Sequence, residues 1–544
     1  KKFPMVRRAT RDCDLDVADL DLVRDLAGEI TWAKSCLHAP SGYAAAARGR
    51  ELPRSAETVA QVFAAYEEAK LGPDGNWLLD FEDLIIFTAE ILRSTPAVAD
   101  EFRSRYRSFV VDEYQDVTPA QQGLLQAWLG GRDDLTVVGD ANQTIYSFTG
   151  ATPRYLLDFT RTYPEATLVR LERDYRSTPQ VVELANAVIG RARGRIAGSR
   201  LALIGQRPDG PRPVFAEFAD EQCEAKGVVD ELVRLLRAGT PAEEIAVLYR
   251  INAASEPYEE ALAAAGIGFR LHGSVGFFER PEIAAALRRL TQLAAGPPPP
   301  MAVGVALRQA LHPLGLKDEA PHGQHERARW EQLQRFVAIG DEYLAQRPDV
   351  TFAELTRALT DRARSPQPED RNGVTLASLH AAKGLEWDAV MLVGLNDGTL
   401  PLSRARTADE IEEERRLLYV GLTRAREHLH LSWSLARSGG RSSNRRRSRF
   451  LDGLVPGDQP DPERTEPDKK VLSALTDWRT EYAREFELQP ANVCSKRLLG
   501  ELAIALPGTV DELRAISGMT EERIDAYGTE VLALIGQYKT AGRK

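Results

Sequence analysis

The sequence predicts an α/β protein built on parallel sheets, with helical insertions and a small all-α domain towards its end. Short β-branched or apolar runs that end in acidic or glycine-containing turns begin at residue 109, and 109–113 and 136–143 are two of them. Continuous apolar runs of this kind are typical of strands that are buried on both faces, as in parallel sheets. We therefore expect functional side chains at the carboxyl ends of these strands.

Helical patterns precede, interrupt and follow the strands. Residues 15–70 carry apolar side chains at helical spacing, and a further helix starts within 77–92. The proline run at 297–300 and the irregular stretch 364–373 bracket a mainly helical insertion. A compact helical pattern from about 469 to 540 predicts a separate small domain.

These changes of texture divide the chain into segments. The first residue is Lys, and residues 1–10 start without a helix cap, so we expect the start of the first lobe to be missing. Together with the motifs described below, these changes predict a helical subdomain of the first lobe (1–76), the remainder of that lobe (77–168), a second lobe in two parts (169–278 and 373–436), a helical insertion (279–372), an Arg-rich linker (437–468) and the all-α domain (469–540).

Length and composition exclude several classes of protein. The 544 residues, 43% of them hydrophobic, suffice for roughly three to five domains. No apolar run approaches the roughly 20 residues that a bilayer span needs. The four cysteines lack C-x-x-C spacing, which argues against a zinc ribbon or a disulfide framework. We predict a cytoplasmic protein without membrane contact, as a monomer or a weak dimer.

Charged residues are distributed unevenly along the chain. A net charge of -10 does not indicate a nucleic-acid binder, because phosphate contacts normally come with an excess of Lys and Arg. Residues 437–449 nevertheless carry six arginines and almost no apolar residue, which predicts a mobile cationic linker. Two interpretations of this linker stay open: a solvated tether, and a segment that contacts phosphates.

Two adjacent acids end the first apolar run. Asp112 and Glu113 follow the strand in FVVDEYQD at 109–116. At a strand end, Asp112 can hold Mg²⁺, usually through water, and Glu113 can polarise an attacking water. Any strand can end in acids, so this pattern has little specificity on its own.

The strand within 137–151 ends in a polar run. After Asp140 comes Gln143, whose amide can sense a γ-phosphate, and then Tyr146 and Phe148, whose rings can stack on bases. The alternative is an ordinary strand and turn with core aromatic residues. A core strand, however, does not need five consecutive small or polar residues after it.

Polar and cationic side chains concentrate in three later segments. LERDYRST at 171–178 places a flat ring beside a guanidinium fork, which suits a base and a phosphate. EERRLLYVGLTRAREHLHLSW at 413–433 has arginines around an apolar helix core. Arginines can stabilise the negative charge on the γ-phosphate oxygens in the transition state of phosphoryl transfer. The third segment is TLASLHAAKGLEWD at 375–388. The candidate residues of the three segments are Tyr175, Arg176, His380, Lys383, Gly384, Glu386, Arg415, Arg416, Arg424 and Arg426.

In this order, the segments resemble the motor motifs of the UvrD/Rep/PcrA helicases of superfamily 1. VDEYQD looks like motif II, VGDANQTIYSFTGA like motif III, LERDYRS like motif IV, TLASLHAAKGLEWD like motif V and EERRLLYVGLTRAREHL like motif VI. The resemblance covers about residues 1–450. It implies two RecA-like parallel-sheet lobes and an ATP-dependent 3′ to 5′ helicase on single-stranded DNA, in repair or replication.

The resemblance also implies roles for residues that match the motifs. Asp112 would hold Mg²⁺ and Glu113 would activate water. For ATP it further implies γ-phosphate sensing by Gln143, adenine stacking by Tyr175, γ-phosphate contacts by Arg176 and Arg424, and nucleotide contacts by Gly384 and Glu386. For single-stranded DNA it implies contacts by Tyr146, Phe148, Arg250, Asn252 and His380.

Three departures from the family pattern change these expectations. No G-x-x-x-x-G-K-[ST] occurs, so the Walker A cradle for the β/γ-phosphates is absent and the chain is expected to be ATPase-inactive by itself. Thr149 stands where many relatives have Arg, which removes a cationic contact. The insertion between Glu279 and Gly373 is short for this family, so its usual contacts to duplex DNA cannot be assumed.

The terminal helical pattern resembles a helicase and RNase D C-terminal (HRDC) domain. Its W-R pair, I-x-G turn and late Y-G fit that domain, and forked or duplex DNA is the partner it implies. A generic helix-hairpin-helix or a structural cap is the alternative. Together with the short insertion, this domain resembles the second UvrD-type branch of actinobacteria, although the four-cysteine element expected before it is missing.

Two other functions stay open at this point. A non-hydrolysing DNA-binding fragment or scaffold would fit a chain without a phosphate loop. A helicase-nuclease would need a carboxylate-rich nuclease domain after motif VI, and the sequence after that motif contains no such cluster.

Overall fold

The structure, a computed structural model, describes residues 2–72, 75–194, 196, 201–364, 372–437, 445–458, 469–485, 493–514, 516, 519–520 and 523–541. The chain divides into two compact units, Lys1–Leu451 and Asp452–Lys544. The predicted α/β class with parallel sheets and a helical terminal unit is confirmed. Within the described residues, no helix combines the length and the apolar character that a membrane crossing requires.

Amphipathic helices form the subdomain at the start of the first unit. They pack around a shared core of branched and aromatic side chains. Asp19 caps one of them by accepting hydrogen bonds from Asp21 N and Leu22 N, and Ser55 caps another. Their ranges are Lys2–Asp12 (α1), Leu20–Ser35 (α2), Pro40–Ala46 (α3) and Ala56–Ala69 (α4).

A buried ionic cluster ties this subdomain to the first lobe. Lys34 Nζ lies 2.6 Å from Asp80 Oδ2 and 2.5 Å from Asp83 Oδ1, and Lys70 Nζ lies 2.7 Å from Asp83 Oδ2. Burial raises the pKa of Asp80, but hydrogen bonds from Lys34 and other donors outweigh it and hold that pKa below its ordinary value. With Glu67, these carboxylates lie close enough to hold a cation, but the lysine ammonium groups already fill the position.

The remainder of the first lobe carries two short parallel strands, Phe109–Val111 (β1) and Leu135–Val137 (β2), which pair directly. Apolar side chains on this lobe face solvent, since Phe81 is 83% exposed and Val110 is 77% exposed. The helices around the strands are Phe81–Ser94 (α5), Pro96–Arg105 (α6), Pro119–Leu129 (α7), Arg154–Leu157 (α8) and Phe159–Thr162 (α9).

The second lobe is built on a larger parallel sheet. Its strands are Val214–Phe218 (β5), Ile245–Tyr249 (β6), Phe269–His272 (β7), Val374–Ser378 (β8), Trp387–Leu392 (β9) and Ala425–Ser434 (β10), and a short ladder joins Arg173–Asp174 (β3) to Ile204–Gly205 (β4). The sheet order is β5-β10-β9-β6-β8-β7, with every pair parallel. Every residue of β6 is buried, as expected for a central strand between two helical layers.

Helices cover the sheet of the second lobe, and further helices form its insertion. Those of the lobe are Pro179–Gly190 (α10), Glu221–Arg237 (α11), Glu256–Ala264 (α12) and Ala408–Leu422 (α17). Those of the insertion are Pro281–Ala294 (α13), Val303–Leu311 (α14), Gln324–Gln346 (α15) and Phe352–Arg364 (α16). The insertion has an apolar core of its own, so it is a separate packing unit within the lobe.

The Arg-rich segment differs from the predicted mobile linker where it is described. Arg445 Nη1 lies 2.7 Å from Glu221 Oε1, and Arg449 Nε lies 3.2 Å from Asp397 Oδ1. The segment is anchored to the second lobe because carboxylates far away in the sequence pair with its guanidinium groups. Composition alone cannot reveal such partners. Arg441 lies outside the described residues.

The second unit is helical in its described part. Its helices are Lys469–Glu485 (α18), Lys496–Ala505 (α19), Val510–Arg514 (α20) and Thr529–Ala541 (α21), the last preceded by a π-helical turn at Ile524–Gly528. Rings of Trp478, Tyr482 and Tyr527 meet with centroids 5.2 to 5.5 Å apart. Tyr527 Oη donates to Val493 O at 2.8 Å, which satisfies the one polar atom of this ring.

Candidate functional site

The loop after β1, residues 112–116, is called the acidic loop below. Glu113 has a φ of 52°, a left-handed conformation that is uncommon outside glycine and that clusters at functional sites. Gln115 Nε2 donates to Glu113 Oε2 at 2.5 Å, and Glu113 N donates to Asp112 Oδ1 at 2.8 Å. Asp112 and Glu113 are exposed and line a cavity of about 490 Å³, so both carboxylates are open to a ligand.

The polar loop after β2 lies directly beside the acidic loop. Gln115 Oε1 accepts a hydrogen bond from Asp140 N at 3.1 Å. A Cβ on Gly139 would come within 2.5 Å of the same oxygen, so this close approach needs glycine. Gln143 Nε2 donates to Asp140 Oδ2 at 3.1 Å. The predicted γ-phosphate sensor is therefore held next to the predicted catalytic carboxylate.

In the second lobe, Glu386 lies between two guanidinium groups. Arg176 Nε contacts its Oε2, and Arg426 Nη2 lies 3.0 Å from its Oε1. Burial raises the pKa of Glu386, but hydrogen bonds from Arg426 and Arg176 outweigh it and lower the pKa below its ordinary value. Arg176 and Glu386, both predicted to contact the nucleotide, are thus paired with each other.

Arg424 is buried beside Arg176 and bonds to backbone oxygens. Its Nε donates to Val420 O at 2.9 Å and its Nη1 donates to Leu385 O at 3.1 Å. Burial and then the charge of Arg176 lower the pKa of Arg424 to about 10. In the described part of the chain no carboxylate forms an ion pair with Arg424, whereas Arg176 is held by Glu386, so an anion bound here would compete with Glu386 for Arg176.

Tyr175 and Gly384 are open to a ligand as well. Tyr175 is 70% exposed, as a stacking platform for a base would be. Gly384 has a φ of 82°, and a Cβ built on it would meet no atom within 4 Å, so a ligand can approach the turn after β8 closely.

The two lobes meet through bonds between these loops. Arg416 Nε donates to Thr144 O at 2.9 Å, and Ser147 N donates to Glu413 Oε1 at 3.2 Å. Lys383 contacts a carboxylate of the acidic loop from the second lobe. The acidic loop and the polar loop after β2 therefore border the second lobe directly, and the charge of Glu113 acts on Arg424 across this border.

An aromatic group stands on the other side of these contacts. The ring centroids of Tyr146, Phe148 and His380 are 6.0 to 6.2 Å apart. Phe148 and His380 line a cavity of about 740 Å³. Burial, followed by the charges of Arg250 and Arg404, lowers the pKa of His380 to about 3. Its ring is neutral at physiological pH and offers a stacking surface rather than a positive charge.

Arg250 and Asn252 also line this cavity, but they differ in availability. Arg250 forms a bidentate pair with Glu414, with Nη2 2.7 Å from Oε1 and Nε 3.0 Å from Oε2. Asn252 is exposed. The predicted DNA contact of Arg250 therefore requires it to share or leave Glu414, whereas Asn252 is free to bond.

The sequence prediction missed Arg404 and Arg327, which line the same cavity. Burial, then the charges of Arg250 and Arg327, lower the pKa of Arg404. Among the described residues Arg404 has no carboxylate within ion-pair distance, whereas Arg327 lies 3.8 Å from Glu51. Arg404 lies in an irregular segment between two motifs, where no periodicity pointed to it.

The residues around the acidic loop fit a magnesium-bound nucleotide. Carboxylate oxygens such as those of Asp112 are the ligands that Mg²⁺ prefers. In the described structure, Asp116 Oδ1 is buried without a hydrogen-bond partner, so this loop has unused capacity for a donor or a cation. The paired cations and the exposed ring of the second lobe complement a polyphosphate and a base.

Three family models match the chain. The UvrD/REP helicase N-terminal domain matches residues 24–164, the UvrD-like helicase C-terminal domain matches 169–295 and 305–436, and the HRDC domain matches 468–535. The matched regions contain all the candidate site residues above.

Curated relatives of the chain include helicases of several bacteria. The chain is 49% identical to the ATP-dependent DNA helicase UvrD2 of Mycobacterium tuberculosis over 98% of its own length and 82% of that protein. It is 30% identical to the ATP-dependent DNA helicase PcrA of Leuconostoc citreum, over 83% of this chain and 70% of that protein. With the ATP-dependent DNA helicase UvrD1 of Mycobacterium bovis it shares 31% identity, over 78% of this chain and 65% of that protein.

Proposed function

The chain belongs to the UvrD-like ATP-dependent DNA helicases, in a UvrD2-like branch with a C-terminal HRDC domain, and from this membership we propose that it translocates 3′ to 5′ on single-stranded DNA. Separation of the duplex follows from that movement. The pathway would be DNA repair or replication.

The acidic loop and the arginines of the second lobe divide the nucleotide chemistry between them. Bound Mg-ATP supplies the phosphoanhydride whose cleavage drives the cycle. Asp112 holds the cation, and Glu113 takes a proton from the attacking water. Gln143 senses the γ-phosphate, while Arg176 and Arg424 place their positive charges where phosphate charge develops.

One hydrogen bond between the lobes supports the proposed coupling of ATP hydrolysis to movement on DNA. Tyr146, in the first lobe, donates from its Oη to His380 O of the second lobe at 3.1 Å, so the position of this ring depends on how the lobes meet. Movement of Arg176 and Arg424 towards the acidic loop would shift the rings of Tyr146 and Phe148 along the bases.

The direction of movement is tested with partial duplexes. We expect a form of the protein that includes a Walker A loop, called the full-length protein below, to displace the strand of a duplex with a 3′ single-stranded tail and to leave a duplex with a 5′ tail paired. Equal displacement from both substrates would reject the 3′ to 5′ proposal. No displacement from either, with intact DNA binding, would favour the alternative of a non-hydrolysing DNA-binding protein.

The role of Glu113 gives a separate test. In the full-length protein, Glu113→Gln should keep ATP and single-stranded DNA affinity but lower DNA-stimulated turnover by about 100-fold or more, because the amide cannot take a proton from water. Turnover is measured as phosphate release, and affinities by fluorescence anisotropy. Normal turnover would reject Glu113 as the base.

The 544 residues contain no G-x-x-x-x-G-K-[ST], and we propose that they do not hydrolyse ATP by themselves. Phosphate release by this chain, with and without single-stranded DNA, should stay at background while the full-length protein is active. DNA-stimulated hydrolysis by this chain would show that another backbone segment cradles the phosphates.

A further inference from the structure

A guanidinium group of the first helical subdomain lies flat over a buried tryptophan. Arg50, between α3 and α4, places its Cζ 3.8 Å from the ring centroid of Trp32 on α2. Trp32 is 8% exposed, and the described wall of the cavity of about 740 Å³ contains Arg50 but not Trp32. The guanidinium therefore separates the indole ring from the cavity.

A carboxylate and a tyrosine fix the orientation of this guanidinium. Arg50 Nη2 donates to Glu29 Oε1 at 2.9 Å, and Tyr43 Oη donates to Glu29 Oε2 at 2.7 Å. The buried ring of Tyr43 meets Trp32 edge-on, with centroids 6.1 Å apart. An arginine held between a ring and a carboxylate loses little conformational freedom when a ligand binds, so Arg50 is ordered in advance of a contact.

The loop that carries Phe148 packs on the same helix as this guanidinium. A Cβ on Gly150 would come within 2.9 Å of Cys36 Sγ and 3.7 Å of Trp32 Cδ1, and Gly150 has a φ of 94°, so the close packing here needs glycine. Phe148 is 42% exposed. Arg50 and Phe148 thus belong to one packed assembly, and they line the same cavity from two segments of the chain.

The charges around Arg50 favour a base over a phosphate as its ligand. Glu29 already compensates the positive charge, and the described wall of the cavity carries seven carboxylates against four arginines. Fixed negative charge repels a phosphate but does not repel a neutral base. A guanidinium plane stacks on π systems, and stacking tolerates any base because every base has a π face.

We propose that Arg50, supported by Trp32, is a stacking platform for one base of the single strand, so that the first helical subdomain supplies a base subsite to the cavity. The inference rests on the proposed function, because it places the DNA strand in the cavity beside Phe148. The contact with Glu29 is kept when the base binds, since the base uses the plane of the guanidinium and the carboxylate binds its edge.

Substitution by methionine and by lysine separates stacking from charge. In the full-length protein without nucleotide, Arg50→Met should weaken binding of a fluorescent oligothymidylate by about 5-fold or more, because one stacking contact is lost. Arg50→Lys should weaken binding by a similar factor, since lysine keeps the charge but has no planar group. Anisotropy titrations measure both affinities. Parental affinity in Arg50→Lys would overturn the proposal.

Salt dependence and a probe without bases identify the part of DNA that Arg50 contacts. The slope of log K against log salt should be the same for Arg50→Met and the parent, whereas a lost phosphate contact would lower it by about 0.7. For an abasic oligomer of the same length, Arg50→Met should change the affinity by less than about 2-fold. A lower slope, or an equal loss of affinity for the abasic oligomer, would also overturn the proposal.

A neighbouring arginine supplies the matched control. Arg48→Met removes an exposed guanidinium of the same turn that is not part of the cavity wall, and it should leave the affinity for the oligothymidylate unchanged. Circular dichroism establishes that each variant is folded. If Arg50→Met does not fold, the affinity of Arg50→Lys decides the proposal.

The outcomes separate this inference from the proposed function. If the unmodified full-length protein binds the oligothymidylate but displaces no strand from a duplex, the helicase proposal fails, and the titrations still decide the role of Arg50. If strand displacement is normal and Arg50→Met binds like the parent, the inference about Arg50 fails alone. Absence of any binding by the unmodified protein would overturn both.

Discussion

Four arginines line the cavity next to the aromatic group, and their partners differ. Arg50 Nη2 lies 2.9 Å from Glu29 Oε1. Arg250 is neutralised by the bidentate contact with Glu414, and Arg327 has a distant partner in Glu51. Arg404, by contrast, has no carboxylate in ion-pair contact among the described residues, and the charges of Glu331 and Glu51 offset only part of the repulsion from Arg250 and Arg327. A phosphate would relieve this repulsion, so Arg404 is the cation of the cavity best suited to DNA.

Arg404→Met should therefore weaken single-stranded DNA binding at low salt and reduce its salt dependence. Loss of one phosphate contact lowers the slope of log K against log salt by about 0.7 for a single strand. Anisotropy titrations at several salt concentrations measure this slope. The control is Arg234→Met, since Arg234 lies outside the cavity and pairs with Glu231 on its own helix. An unchanged slope for Arg404→Met would exclude the phosphate contact.

At the scale of elements, the insertion docks on the first helical subdomain through the start of α15. The carboxylate of Asp25, on α2, accepts hydrogen bonds from His325 N at 2.6 Å and Glu326 N at 2.9 Å. These unpaired backbone donors at a helix N-terminus suit a carboxylate. Gly323 leaves room for this approach, because a Cβ there would collide with Asp25. The insertion is thereby held against α2 by a few polar contacts.

This contact predicts a pH dependence. Burial, opposed by the two backbone hydrogen bonds, raises the pKa of Asp25 from 3.8 to about 6. Between these values the folded state binds more protons than the unfolded state, so the free energy of unfolding falls as the pH rises from 4 to 6. The contribution of Asp25 to this fall is about 3 kcal/mol at most.

Asp25→Asn removes the titrating group, so its free energy of unfolding should fall less between pH 4 and pH 7 than that of the parent. Urea unfolding followed by tryptophan fluorescence at both pH values measures the difference. Asp349→Asn, which changes an exposed carboxyl on the insertion, should keep the parent behaviour. The same pH dependence in Asp25→Asn and the parent would show that Asp25 titrates normally.

At the scale of the molecule, the chain combines two units with separate cores. The first contains both lobes, their insertion and the anchored part of the Arg-rich segment, and the second contains the HRDC domain. The net charge is -10, and the cavity is lined by seven carboxylates as well as four arginines, so it is not cationic as a whole. The local arrangement of charge, rather than the total, therefore has to account for DNA binding.

Because the units have separate cores, removal of residues 452–544 should leave the first unit folded. In the full-length protein this deletion should weaken binding to forked DNA by about 5-fold or more, while DNA-stimulated ATPase on single strands changes by less than about 2-fold. Anisotropy with forked and single-stranded probes, together with phosphate release, measures both effects. Unchanged fork affinity would mean that the HRDC domain does not contact the fork.

The order of the motifs and the ends of the buried strands could be determined from the sequence alone. A central strand such as β6 is a continuous apolar run in the sequence. The polar residues after β1 and β2 indicate a functional site, because a hydrophobic core does not require polar residues there. These signals are local, since each lies within one segment of the chain. The α/β class, the family and the HRDC domain rest on signals of this kind.

Only the tertiary structure could decide which side chains meet. Lys383 and Asp116 are 267 positions apart, and Arg250 and Glu414 are 164 apart, so no periodicity or spacing connects them. The sequence predicted Arg250 as a DNA contact without its carboxylate partner, and it described 437–449 as mobile without the acids that anchor Arg445 and Arg449. Charge pairing depends on distances of a few ångströms, which exist only after the chain has folded.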